Sequence, residues 1–215
     1  MKSLINKNNA IGFLIILYIV GYISIGLEVL PVVIYLTPIN LLISIAVAMY
    51  FDDNDWKRQL CFAVPAFLLG YGIEVIGVQT GAIFGEYAYG DILGFKLWDT
   101  PLMIGVNWVL VCFSSGYFIN LLVPNLNRIL KSALAAAVLV LLDFIIEPVA
   151  IDWGMWTWAA SDIPLQNYIA WWLIGFIMML IFFQFYKNST NKVGVALLFI
   201  QFIFFGLLNE WFGNF

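Results

Sequence analysis

The stretch Leu142-Asp143-Phe144-Ile145-Ile146-Glu147-Pro148 sets two carboxyl groups four residues apart inside an otherwise apolar run. On a helix that spacing puts both on one face, close enough to interact. In a low-dielectric setting the two cannot comfortably be ionised together, so one keeps a proton while the other is charged, and the pair titrates as a unit. An acid beside a base is the equipment of general acid–base catalysis. Pro148, which has no N–H and whose ring crowds the Phe144 carbonyl, should kink or end the helix and free a carbonyl beside the acids. A third carboxyl, Glu74, sits in Gly70-Tyr71-Gly72-Ile73-Glu74-Val75-Ile76-Gly77, where glycines let another backbone or a flat group come near. The structural alternatives are a solvated pair at a helix mouth for Asp143 and Glu147, and a helix–helix hydrogen bond for Glu74.

Aromatic residues follow the acid pair directly. Asp152-Trp153-Gly154-Met155-Trp156-Thr157-Trp158, Asn167-Tyr168 and Trp171-Trp172 hold five of the nine tryptophans. A belt at a membrane interface accounts for them without function. The functional alternative is that the faces of Trp153, Trp156 and Trp158 stabilise a cation, since indole has the strongest cation–π attraction. The glycines and alternating aromatics of Thr80–Tyr89 describe an ordered loop folded back onto its neighbours, with Tyr87 or Tyr89 as the candidate to position a water. Glu86, Asp91 and Asp99 read as solvated loop charges, Glu28 as interfacial, and Asn107 and Asn209 as amides for helix–helix hydrogen bonds. The chain has no histidine, so imidazole shuttles, histidine-bound metals and Ser-His-Asp triads are excluded. Cys61 and Cys112, each in an apolar run, suggest small buried side chains and neither a disulfide nor a metal motif. No metal and no cofactor is expected.

The elements that must position these groups are membrane spans. Of 215 residues, 64% are apolar and 10% charged, and the mean hydropathy is +0.99; soluble domains carry about 25% charge. A span needs about 20 apolar residues, and candidates lie near 10–30, 35–51, 60–79, 101–123, 131–151, 167–186 and 193–213. The first is too long for a cleavable signal peptide. The fold class expected is all-α: a polytopic transmembrane helical bundle of about seven spans, as one domain over 1–215, with small residues such as Gly70, Gly72, Gly77 and Ala135–Ala137 packing helices together. Alternate loops collect Lys2, Lys7, Lys57, Arg58, Arg128, Lys131, Lys187 and Lys192 on one side and only Lys96 on the other. That asymmetry places the N-terminus in the cytoplasm and the C-terminus outside, in the cytoplasmic (inner) membrane. Glu28, Glu74, Asp143, Glu147 and Glu210 then all lie toward the outer leaflet. Nine basic residues against 13 acidic, without a basic cluster, argue against nucleic acid.

As a set, Glu74, Thr80-Gly81-x-x-Phe84-Gly85-x-Tyr87-x-Tyr89, Pro101, Asn107-Trp108, Asp143-x-x-x-Glu147-Pro148-x-Ala150, Trp153-Gly154-x-Trp156-x-Trp158 and Asn167-Tyr168 resemble the integral-membrane carotenoid 1',2'-hydratases, bacterial and archaeal. The likeness covers about residues 60–175, with the flanking spans alike only in hydropathy. It implies addition of water across the terminal double bond of an acyclic ψ-end group, giving a tertiary alcohol, with a carotenoid, membrane lipid and water as partners. On that footing Asp143, Glu147 and Glu74 are the expected catalytic acids, and Trp153, Trp156, Trp158, Tyr87, Tyr89, Asn107, Trp108 and Asn167 the expected substrate-binding residues. A neutral carboxyl would protonate the alkene to a tertiary cation, and an ionised one would stabilise it and take a proton from the water that captures it. Three alternatives stand beside this: a carotenoid cyclase that makes the same cation but excludes water, a proton-coupled transporter, and a carotenoid-binding protein without activity. The transporter is disfavoured by the absence of an inverted repeat and by acids placed toward one side.

Overall fold

A computed structural model describes residues 6–26, 28–160 and 162–212. Seven helical spans among these are long and apolar enough to cross a membrane, the first two (Lys7–Ile25 and Val32–Tyr50) by taking in a π-helical turn and a 3₁₀ segment beside their α-helices. Their α-helices are α1 (Lys7–Gly21), α2 (Thr37–Tyr50), α3 (Trp56–Thr80), α4 (Leu102–Leu122), α5 (Arg128–Asp152), α6 (Leu165–Phe185) and α7 (Lys192–Phe212). The protein is a multi-pass membrane helical bundle, as its composition requires. The helix starts follow capping rules: Asn6, Asp55 and Asn127 accept from the backbone N–H groups of Asn9, Arg58 and Leu130, groups that otherwise lack an intrahelical partner.

Two spans differ from expectation at their ends. The first helix widens into a π-helical turn at Tyr22–Gly26, short of residue 30. The second is preceded by a 3₁₀ segment, Pro31–Leu36, and Pro38 stands in the first turn of α2, where its missing N–H costs nothing. Pro148 does not end α5, which runs on to Asp152. Asn209 of α7 donates to the Ile145 carbonyl in the same turn (2.7 Å), supporting the backbone there.

Helix α4 is apolar on all sides and buried along most of its length, the pattern of a central helix. Helices α2, α3, α5, α6 and α7 pack around it, and α1 lies outside against α7. In the half nearer the Asp52 loop the core is aromatic: the rings of Phe62, Phe113, Tyr117, Phe182 and Tyr186 meet edge to face or stacked. At that end Asp52 accepts from the Tyr117 hydroxyl. Lys131, which the sequence alone would leave in a loop, is buried there and donates to Asn120 (2.8 Å) and the Lys187 carbonyl (3.1 Å). Cys61 is exposed, contrary to expectation, while Cys112 is buried against Met178.

The opposite end carries a feature not visible as a helical pattern. Strand β1 (Tyr87–Tyr89), in the loop after α3, pairs antiparallel with β4 (Trp156–Trp158), in the loop after α5, with Tyr87 opposite Trp158 and Tyr89 opposite Trp156. Bonds from Gly90 N–H to Met155 O and from Ala159 N–H to Glu86 O extend the ladder (2.8 and 2.9 Å). A Cβ on Gly90 would lie 1.9 Å from the Gly154 carbonyl, so the two loops meet only because that side chain is absent. A small hairpin of β2 (Lys96–Leu97) and β3 (Thr100–Pro101) leads into α4. Lys96 is tied to the Tyr89 carbonyl and to Asp91, both at 2.8 Å. The Lys96 ammonium holds the exposed Asp91 carboxyl below its usual range.

Candidate active site

Strand geometry decides which side chains reach the bundle. Successive residues point to opposite faces, so Tyr87 and Tyr89 turn inward with Trp156 and Trp158, while Ala88 and Thr157 are exposed. The two inward pairs serve two carboxylates. Tyr87 and Tyr89 both donate to Glu74 Oε2, at 2.6 and 2.7 Å. Trp156 and Trp158 both donate through Nε1 to Glu147 Oε2, at 2.8 and 3.2 Å.

Each carboxylate has a third donor. Trp108 on α4 reaches Glu74 Oε1 through its indole N–H (3.1 Å). Its ring lies against Gly70, one turn before Glu74, where a Cβ would come within 2.4 Å of the indole. The flat group that the glycine admits is therefore a neighbouring tryptophan. Trp171 of α6 stacks on it, centroids 4.0 Å apart. Asn167, one turn earlier on α6, donates to Glu147 Oε1 (3.2 Å) and Asp143 Oδ2 (3.3 Å), bridging the i, i+4 pair.

The three acids are thus unequally served. Glu74 and Glu147 each accept three hydrogen bonds, and Asp143 accepts one long one among the described residues. All three are buried. They line one hollow of about 40 Å³ together with Tyr87, Tyr89, Asn107, Trp156, Trp158, Asn167 and Trp171, closed on its apolar side by Phe84, Leu139, Leu142 and Ile146. Burial and the nearby Glu74 charge push the Tyr87 and Tyr89 phenols well above the usual range, so both stay hydrogen-bond donors.

Several expectations take a different form. The Tyr87 and Tyr89 protons are committed to Glu74, leaving only lone pairs for a water. Trp156 and Trp158 act through their N–H edges as well as standing at the cavity wall. Trp153 is absent from the acid hollow: it lines an adjoining cavity, its ring against Phe204. Asn209 makes its helix–helix bond, but Asn107 makes no hydrogen bond among the described residues and lies where the two cavities meet. Glu28 and Glu210 are exposed and outside the hollow. Trp171 and Phe84 were not singled out from sequence as site residues; the four-residue step from Asn167 to Trp171, which puts both on one face of α6, is the signal that points to Trp171.

Comparison with known proteins places the sequence in a family. The chain belongs to the carotenoid biosynthesis protein family, whose model matches residues 30–215. Bisanhydrobacterioruberin hydratase of Haloarcula japonica is 31% identical over 142 residues, a match that takes in 63% of this chain and 48% of that protein. The chain therefore aligns with about half the length of that curated relative. No solved structure matches it.

Proposed function

We propose that the chain is a carotenoid hydratase, a hydro-lyase that adds water to the terminal 1,2 double bond of an acyclic ψ-end group. The observation that carries this reading is the unequal hydrogen bonding of three acids around one hollow. A carboxylate that accepts three donors is held as an anion, because an ionised carboxylate only accepts. Asp143, with one weak donor, is the group left to carry a proton. Family membership and the named relative support the substrate class.

The reaction then runs as follows. Asp143 gives its proton to the alkene carbon bearing hydrogen; a C–H bond forms, the π bond breaks, and positive charge settles on the carbon bearing two methyl groups. Glu147, its charge fixed by Trp156, Trp158 and Asn167, lies one helical turn away and stabilises that cation without reorganising. Water forms the C–O bond and releases a proton to Glu147, from which it returns to Asp143. Glu74 holds the tyrosine side of the clasp and adds negative potential. With the N-terminus in the cytoplasm, the hollow lies near the outer face of the cytoplasmic membrane, where water is at hand and the new hydroxyl finds the interface.

Asp143→Asn and Glu147→Gln, expressed in a host that makes ψ-end carotenoids, test the assignment. General acid–base groups contribute about 10²- to 10⁴-fold, so both variants should lose hydroxylated product by such a factor. Full product yield from both would overturn it.

A further inference from the structure

The acid hollow is too small for its proposed substrate. About 40 Å³ of free space admits a few waters or the tip of a chain, and a carotenoid is a long rigid hydrocarbon. Beside it lies a second cavity of about 250 Å³. The two share Ile104, Asn107, Ile146 and Trp156 in their walls, so they adjoin at these four side chains, which form the neck between them. The larger one is walled mainly by apolar side chains of α1, α2 and α7, such as Leu17, Leu41 and Phe204. Apolar lining with a few polar groups at one end is the usual make-up of a small-molecule site. Its lining includes Val20, Leu36 and Ile39, each about half exposed on the outside of α1, the 3₁₀ segment and α2 (51, 51 and 52%). On a membrane protein that outside is lipid.

Resting on the hydratase reading, we propose that this second cavity seats the polyene, that the chain slides in from the lipid between α1 and α2, and that the neck at Asn107 and Trp156 passes only the terminal isoprenoid unit to the acids. From Leu17 the cavity follows α1 to Gly21 and the π-helical turn on to Ile25, about 12 Å at a helical rise of 1.5 Å per residue. It therefore holds part of a carotenoid, and the remainder stays among acyl chains. Two consequences follow. The far end of the substrate, acyclic or cyclic, never meets the protein's acids. A substrate with two ψ ends must leave and return reversed, so the singly hydrated product accumulates before the doubly hydrated one.

Gly21 allows a direct test. A Cβ there meets only the Phe204 ring, at 3.6 Å, so a larger side chain fits the fold while filling the cavity. Full-length wild type and Gly21→Leu in lipid nanodiscs would be given a long ψ-end carotenoid and a short linear isoprenoid with the same end group. Polyene binding would be followed separately by quenching of tryptophan fluorescence. The ratio of short-chain to long-chain turnover should rise at least about tenfold in Gly21→Leu, since single methylene groups in apolar pockets carry such factors. An unchanged ratio, or equal loss of both activities, would overturn the proposal. If wild type hydrates neither compound yet binds the polyene, and Gly21→Leu abolishes that binding, the cavity assignment stands and the hydratase reading falls. Polyene binding that Gly21→Leu leaves intact would remove the cavity assignment whatever the activity.

Discussion

At the scale of single residues, Asp143, Glu147 and Glu74 differ less in burial than in the number of donors aimed at them. Among the described residues, Asn167 is the side chain that hydrogen-bonds both members of the i, i+4 pair. Hydrogen bonds to charged groups are worth about 1.5–3 kcal/mol, so Asn167→Ala should slow turnover by about ten- to a hundredfold, read as product formed at saturating substrate; a rate equal to wild type would show that the bridge is idle. Tyr87→Phe and Tyr89→Phe each leave Glu74 two donors, and the double variant should cost more than the sum of the two single losses, a non-additivity that a double-mutant comparison reads out. The carboxyl pair was legible from its spacing alone. The use of indole edges was not, because spacing does not say whether a ring presents its face or its N–H. A signal did exist: Tyr87-x-Tyr89 and Trp156-x-Trp158 alternate with period two, which in a strand puts each pair on one side, whereas Trp153 stands before the turn at Gly154 and goes elsewhere.

At the scale of elements, the clasp of β1 and β4 is what turns three acids on two helices into one enclosed hollow. Helices α3 and α5 bring Glu74 and the Asp143/Glu147 pair to the same end; the paired loops supply four of the seven hydrogen bonds the acids accept. Gly90→Ala would drive a methyl group into the Gly154 carbonyl and force the strands apart. Overpacking costs about 1–3 kcal/mol, so the variant should melt several degrees lower and lose activity, although Gly90 touches no acid. Unaltered melting and activity would show that the ladder is dispensable. Strands of three residues in long loops escape sequence reading because they are too short for a periodic pattern and are fixed by a partner almost 70 residues away. Pro148 does not end its helix: α5 runs on to Asp152, and the Asn209 amide of α7 bonds the Ile145 carbonyl on the same turn, a tertiary contact that a local pattern does not show.

At the scale of the whole molecule, the seven spans were legible in number and approximate place, though not at every end, since a chain this apolar has few other ways to satisfy its backbone in lipid. The cavities were not, because they depend on which helices leave space between them. Orientation rests on the distribution of lysine and arginine and is open to direct measurement. With Cys61 and Cys112 replaced by serine, Ala88→Cys on the exposed face of β1 should react with a membrane-impermeant maleimide on intact spheroplasts, and Asn188→Cys in the loop between α6 and α7 should not. The reverse pattern would invert the topology and place the hollow at the cytoplasmic face.

The central claim is that the hollow adds water to a terminal alkene, and isotopes test it most directly. Purified protein incubated with an acyclic ψ-end carotenoid in H₂¹⁸O should yield a product heavier by one molecule of labelled water, and in D₂O one deuterium should appear on the carbon next to the new alcohol. A product of unchanged mass, whether a ring isomer or the bound pigment recovered intact, would contradict the account.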